Sequence, residues 1–203
     1  MAVSARRGAP LTLGEISSTA LRLMDEGGVE GLSMRKLAAE LDVNPMSLYH
    51  HVDNKDALIR LICSTAAQRM ELPPDDGSPW QDQLRALALA YHRNALEHPA
   101  MWHHLHNHPE IIADRGLVIW QTLYRILRLA GVPEPELRRT SDVLHAFVTG
   151  FVIAETTGHL PAEEVERDFD TAIRLIIGGL SGMSERSGSS GSSESPGQSG
   201  LSG

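Results

Sequence analysis

The sequence predicts an all-α protein: a three-helix N-terminal unit containing a helix-turn-helix, followed by a larger helical domain. Three observations carry this. Leu, Ala and Ile supply most of the apolar residues in a chain of 203 in which aromatics make up only 4%. No run of alternating β-branched residues is long enough to mark a strand. Apolar residues instead recur three and four apart, in segments that open on Ser, Thr or Asn and close near Gly or Pro.

Residues 1 to 10 form a short arm bearing Arg6 and Arg7. It reads either as a frayed terminus or as a phosphate or minor-groove contact. A first helix is predicted over 12–27. Thr12 and Glu15 have the spacing of a capping box, Ile16, Ala20, Leu23 and Met24 form its apolar stripe, and Gly27-Gly28 ends it.

Residues 32 to 56, LSMRKLAAELDVNPMSLYHHVDNKD, are the centre of the argument. Ser33 caps a helix over 33–41. Asp42 sits where the chain must turn, a position Asp tolerates better than most residues. Asn44 caps a second short helix over about 45–51. Pro45 takes its first position, where a missing N–H costs nothing. Two helices and a tight turn suit a helix-turn-helix, whose second helix enters the DNA major groove.

A fourth helix over about 54–70 follows. Lys55 in its first turn opposes the helix dipole unless an anion, such as a DNA phosphate, sits nearby. LPPDDGSP, residues 72 to 79, cannot continue a helix and marks the main internal boundary. Beyond it, helices are predicted over 80–98, 116–131, 136–158 and 163–183. Residues 184 to 203 are mostly Ser and Gly and are expected to lie outside the fold as a disordered tail. The organisation is therefore 1–53 for a DNA-binding unit, 54–71 for a connecting helix, 80–183 for a second domain and 184–203 for the tail.

Charge and cysteine usage narrow the class. The net charge is −8, against a general nucleic-acid coat protein, but residues 1 to 60 hold seven Lys/Arg and eight Asp/Glu. A near-neutral unit binds DNA if its cations share a face. The single cysteine, Cys63, allows no internal disulfide and fits a reducing compartment. MAVSARRGAP has no apolar core of a secretory signal, and the apolar stretch around 143–154 is too short to span a bilayer. The expectation is a cytoplasmic protein with no membrane partner. No nucleophile–base pair, phosphate loop or closed metal motif is visible. No catalytic residue, metal ligand or cofactor is therefore assigned, and the chain is expected not to be an enzyme.

Residues 98 to 108, HPAMWHHLHNH, hold five of the ten histidines. They read as a polar inter-helix segment, as part of a small-molecule pocket with Trp102 and a histidine such as His104, or as a metal site. Ala146, Gly150 and Ala154 are four apart on the long helix, and Gly178 and Gly182 repeat the spacing on the last one. Small residues on one face permit close helix approach, either within one subunit or between two.

The stretch GLSMRKLAAELDVNPMSLYHHVDNKDAL, residues 31 to 58, resembles the tetracycline-repressor (TetR) family of transcriptional regulators. The matching positions are Ser33, Leu37-Ala38, Leu41-Asp42-Val43, Leu48-Tyr49-His50-His51-Val52 and Lys55 to Leu58. The departure is Asp42, where the family usually has glycine. SPWQDQL, residues 78 to 84, is similar to the start of the second domain in the tetracycline-repressor branch itself.

The resemblance implies a homodimer whose N-terminal units each read half of a palindromic double-stranded operator. Its C-terminal domain would bind a small-molecule effector and form the dimer. Asn44, Pro45, Met46 and His50 would then face the groove, and Tyr49, His51 and Lys55 the backbone, with Ser33 and Ser47 alongside. Asn pairs with adenine, and Pro or Met packs on a thymine methyl. Arg35 is the candidate to reach guanine or a phosphate. The effector pocket is expected from Leu87, Tyr91, Trp102, His104, Trp120, Phe147 and Phe151, each of which also reads as plain core. The dimer face is expected from Ala146, Gly150, Ala154, Ile173, Ile177 and Gly178. Tetracycline repressors hold a drug–magnesium chelate through a histidine, an asparagine and a glutamate. Here the fourth helix ends Gln68-Arg69-Met70-Glu71 without that histidine, and Leu87 stands near the expected asparagine. Tetracycline is therefore not the expected effector. The alternative is a helical small-molecule- or metal-binding protein or enzyme with a helix-turn-helix-like N-terminus.

Overall fold

The computed structural model describes residues 10–112, 118–161 and 163–189. The arm bearing Arg6 and Arg7, and the tail beyond residue 189, lie outside the described residues. Within them the chain forms nine α-helices and no strand: α1 (Leu13–Gly31), α2 (Met34–Glu40), α3 (Pro45–Tyr49), α4 (Lys55–Gln68), α5 (Trp80–Glu97), α6 (Pro99–Asn107), α7 (Val118–Leu129), α8 (Leu137–Thr156) and α9 (Val165–Ser189). Short 3-10 turns occupy Pro109–Ile112 and Glu134–Glu136. Helix α9 runs six residues past the expected start of the tail at 184.

Local chemistry sets the boundaries. Thr12 and Glu15 form the reciprocal capping box, Ser33 accepts from the Lys36 amide, Asn44 from the Met46 amide and Asn54 from the Ala57 amide. Gly28 leaves helical geometry at φ 68°, so the regular part of α1 ends at Gly27.

Three helices end in the same Schellman arrangement. In α2, Val43 N donates to Ala38 O and Asp42 N to Ala39 O; in α7, Val132 N to Leu127 O and Gly131 N to Arg128 O; in α8, His159 N to Ala154 O and Gly158 N to Glu155 O. The residue in the left-handed region is Gly131 (φ 80°), Gly158 (φ 74°) or, at the helix-turn-helix, Asp42 (φ 52°). The chain thus holds a residue with a Cβ in a conformation it otherwise gives to glycine.

Two apolar cores form. The first joins Ile16, Leu23 and Met24 of α1, Leu37 of α2, Leu48 of α3 and Leu58, Ile59 and Ile62 of α4, all at most 1% exposed. Met101 and Leu105 of α6 belong to the same core. The second joins Leu84 and Leu87 of α5, Trp120, Leu123, Ile126 and Leu127 of α7, Leu137 of α8 and Leu180 of α9. The covalent boundary at 72–79 is therefore not the packing boundary. The histidine-rich segment is a helix, and its apolar face completes the N-terminal core.

Polar links tie the two parts. His98 Nδ1 lies 2.9 Å from the Asp25 carboxylate, Arg69 donates to the Ser18 hydroxyl at 2.6 Å, and the Asn94 amide reaches Ala66 O at 3.5 Å. The connecting loop is pinned by Arg125, whose guanidinium donates to Pro73 O (2.8 Å), Pro74 O (3.3 Å), Asp75 Oδ1 (3.0 Å) and Gln83 Oε1 (2.8 Å).

Candidate DNA interface, cavity and helix face

The helix-turn-helix presents its expected side chains outward. Leu48 points into the core at 0% exposure and anchors α3. Ser33, Arg35, Asn44, Pro45, Tyr49, His50 and His51 are exposed, Ser47 is half-buried, and Met46 is 64% exposed. A helix of five residues has room for one buried anchor, so the remaining side chains stand on one convex surface. That surface carries hydrogen-bonding groups from Asn, Ser, Tyr and His and apolar contact from Pro and Met, the mixture base edges require.

Lys55 departs from the expectation. Its ammonium is half-buried and donates a 2.7 Å hydrogen bond to Val29 O. The acceptor that meets the ammonium at the start of α4 is a neutral backbone carbonyl in the turn that ends α1. Lys36 extends over the same end of α1, with its Nζ 3.9 Å from where a Cβ on Gly27 would stand.

Two apolar cavities lie between α4, α5, α6, α7 and α8. The first has a volume of about 60 Å³ and is lined by Leu84, Leu87, Ala88, Tyr91, Ile119, Trp120, Leu123, Leu144, His145 and Val148. The second, about 40 Å³, is lined by Cys63, Ala67, Met70, Tyr91, Asn94, Met101, Trp102, Leu105, Ile119, Trp120 and His145. Tyr91, Ile119, Trp120 and His145 line both and form the partition. The Tyr91 hydroxyl and His145 Nδ1 share a 2.6 Å hydrogen bond, and the Tyr91 and Trp102 rings lie 4.5 Å apart. The Trp120 and His145 rings meet edge-on at 5.1 Å. Trp102 Nε1 donates to Asn94 Oδ1 at 3.2 Å. Burial raises the Tyr91 phenol well above its ordinary range and pushes the Cys63 thiol up to about 12, so both are neutral at physiological pH.

Of the expected pocket residues, Leu87, Tyr91, Trp102 and Trp120 line these cavities. His104, Phe147 and Phe151 do not. The His104 and His108 rings lie 4.3 Å apart at a tilt, and burial, then the neighbouring His108 and Lys55, lowers the His104 pKa. Phe147 is 37% exposed on α8. Phe151 packs 5.0 Å from Phe169 in a separate cluster, where His92 stacks on Phe169 at 4.2 Å and lies 2.6 Å from Glu155. His145, which joins both cavities, was not singled out from the sequence. It stands in the long helix among apolar residues, and only the packing of α5 and α7 against α8 turns it inward.

On the outer side, α8 and α9 leave apolar and small residues uncovered. Ala146 and Gly150 are exposed, as are Val143 (63%), Leu175 (73%) and Gly178. Nothing lies within 4 Å of a Cβ placed on Gly150, Gly178 or Gly182. Ala154 and Ile177 are half-buried, and Ile177 packs on the second core. Ile173, at 2% exposure, is interior to the subunit rather than on this uncovered face. Leu175, two residues on, holds the outward position.

Comparison with known proteins agrees with this layout. Residues 16–62 match the profile described as bacterial regulatory proteins, tetR family, and residues 84–177 match that of a tetracyclin repressor-like C-terminal domain. An HTH-type transcriptional regulator of Saccharopolyspora erythraea is 32% identical over 146 residues, 72% of this chain and 61% of its own length. An HTH-type transcriptional repressor of Streptomyces coeruleorubidus is 32% identical over 161 residues, 77% of this chain and 57% of its own. The chain thus spans about three-fifths of the length of these two relatives. Among solved structures, the TetR family protein ActR of Streptomyces coelicolor, in complex with (S)-DNPA, superposes with a TM-score of 0.70 at 27% identity, covering 85% of this chain and 98% of that one.

Proposed function

The chain belongs to the tetR family of bacterial regulatory proteins, and from that premise we propose that it is a homodimeric, ligand-responsive transcriptional repressor. It binds a palindromic operator through Arg35 and the surface of residues 44 to 51, and a small-molecule effector releases it. The observation that carries this reading is α3 itself. One side chain, Leu48, is sunk in the core while Met46 and Tyr49 stand 64% and 44% exposed beside Asn44, His50 and His51. Apolar and polar side chains held together in water on a rigid five-residue helix fit the edges of base pairs.

The cavities support the effector through their apolar and aromatic lining, the character of small-molecule sites. The uncovered small-residue face of α8 and α9 supports the dimer. In the dimer each subunit presents one α3, and the two reach successive major grooves roughly 34–36 Å apart. Effector binding shifts the population to dimers that lack this spacing. An operator-binding role also implies a cytoplasmic protein. No described helix is long and apolar enough to cross a membrane, and no described group of three or more His, Cys, Asp or Glu side chains has metal-site geometry.

The test is selection of bound duplexes from a random pool. Enrichment of a palindrome, lost with Arg35→Ala, supports the reading. Absence of any enriched palindrome at low salt overturns it.

A further inference from the structure

The two cavities share Tyr91, Ile119, Trp120 and His145 as lining. Tyr91, Trp120 and His145 stand between them, and each is joined to the next by a hydrogen bond or a ring contact rather than by backbone. A turn of His145 away from Tyr91 would remove one of the side chains that line both spaces, which together run from Leu84 on α5 to Trp102 on α6. A third groove, lined among others by Trp102, His145, Thr149 and Gly150, reaches the same histidine from the α8 surface. His145 thus stands at the junction of three spaces.

The lining has a definite chemistry. No Lys, Arg, Asp or Glu lines either cavity. The polar groups are the Tyr91 hydroxyl, the His145 ring, the Asn94 amide and the Cys63 thiol. The Asn94 amide is already engaged with Trp102 and Ala66. A charged ligand here exchanges its hydration for apolar walls without a fixed counter-ion, which is strongly unfavourable. A flat, uncharged ring system loses little on desolvation and meets the faces of Trp102, Trp120 and Tyr91.

We propose that the effector of this chain is an uncharged aromatic molecule bearing a hydroxyl group, seated between Trp102 and Trp120, with His145 as the residue that selects for the hydroxyl. On entry the ligand hydroxyl replaces that of Tyr91 as the hydrogen-bond partner of the imidazole, and the Tyr91 hydroxyl turns to Thr149 Oγ1, 3.4 Å away, so that neither is left unpaired. Hydroxyl-bearing aromatics are therefore preferred over bare hydrocarbons of the same shape, and charged isosteres are refused. This deepens the proposed regulatory function and rests on it for the word effector, but the site itself is tested without DNA.

The experiment is calorimetric titration of the full chain with four probes of one ring system: 1-naphthol, naphthalene, 1-naphthoate and 1-naphthylmethylammonium. The expected order is 1-naphthol tightest, naphthalene about 10-fold weaker, one neutral hydrogen bond's worth, and both ions weaker still. His145→Phe brings 1-naphthol down to the affinity of naphthalene and leaves naphthalene within twofold. His145→Gln, which keeps a hydrogen-bonding group, restores part of the preference and guards against a folding defect in the phenylalanine variant. Binding of either ion as tightly as 1-naphthol overturns the proposal. So does an undiminished preference for the hydroxyl in His145→Phe, or no saturable 1-naphthol binding below millimolar concentration. Selective naphthol binding by a chain that enriches no palindrome leaves the site standing and removes the regulatory reading.

Discussion

The Lys55 ammonium, in the first turn of α4, donates its 2.7 Å hydrogen bond to Val29 O in the turn that closes α1. It bridges two helices on either side of the helix-turn-helix and holds α2 and α3 between them. Replacement by Met keeps the apolar stem and removes the charged donor. Lys55→Met is expected to lower stability by about 1.5–3 kcal/mol, the range for a hydrogen bond to a charged group, read as a lower denaturant midpoint. An unchanged midpoint would show that Lys55 is free for phosphate instead.

Asp42 occupies the left-handed position of the turn between α2 and α3 at φ 52°. Glycine fills the equivalent position at the ends of α7 and α8. Asp42→Gly is expected to raise stability by up to about 1 kcal/mol, and Asp42→Val to lower it by about 1–2 kcal/mol. Thermal melts of the two variants against the parent check the sign of each.

Met101 of α6 is 1% exposed and lies in the core shared with α1 to α4. Met101→Ala removes packing from the DNA-binding unit although it lies beyond the loop that ends that unit in sequence. A loss of roughly 2–5 kcal/mol is expected, with operator affinity falling together with N-terminal helicity. Hydrogen exchange confined to α5 and α7–α9 would show that α6 belongs with them instead.

Burial holds the Cys63 thiol near 12, against 9.0 for a free thiol. The folded pKa is raised, so the stabilising contribution is fully present below pH 9. It falls as pH rises from about 9 to about 12, because the unfolded chain ionises first. The native thiol is therefore expected to resist alkylation at pH 8 until denaturant is added. Cys63→Val should flatten the decline of stability above pH 9. Rapid alkylation of the native protein would contradict the burial.

Gly150 lies on the exposed side of α8 with nothing within 4 Å of an added Cβ. Gly150→Leu is therefore accommodated in the isolated subunit and obstructs only a partner helix. Sedimentation equilibrium is expected to show the dimer weakened at least 10-fold with an unchanged far-ultraviolet spectrum, about 1.4 kcal/mol of association free energy. A dimer of undiminished affinity would move the interface elsewhere.

What the sequence makes legible follows the range of the forces involved. Caps and turns are local, so Thr12, Ser33, Asn44 and Asn54 stand at the helix starts their chemistry indicates. The exposed surface of α3 is legible because so short a helix buries only Leu48. Longer helices carry apolar residues on more than one side, and spacing alone does not say which side meets a neighbour. Hence Ile173 is interior and Leu175 outward, and Phe151 packs on Phe169 rather than lining the cavities. His145 became visible only once α5 and α7 were placed against α8. The affiliation of α6 with the N-terminal core is likewise a property of the packed chain.

The most direct test of the central claim is the dissociation constant for the selected palindromic duplex, measured by fluorescence anisotropy for the parent and for Tyr49→Ala at one fixed salt concentration. Tyr49 is 44% exposed on α3 and does not belong to either buried core. The account predicts nanomolar-range binding by the parent, as specific regulators show at about 10⁻⁸–10⁻¹¹ M. It also predicts at least a 10-fold loss in Tyr49→Ala with the same melting temperature. Equal affinity of the two proteins for the palindrome and for unrelated DNA would contradict it.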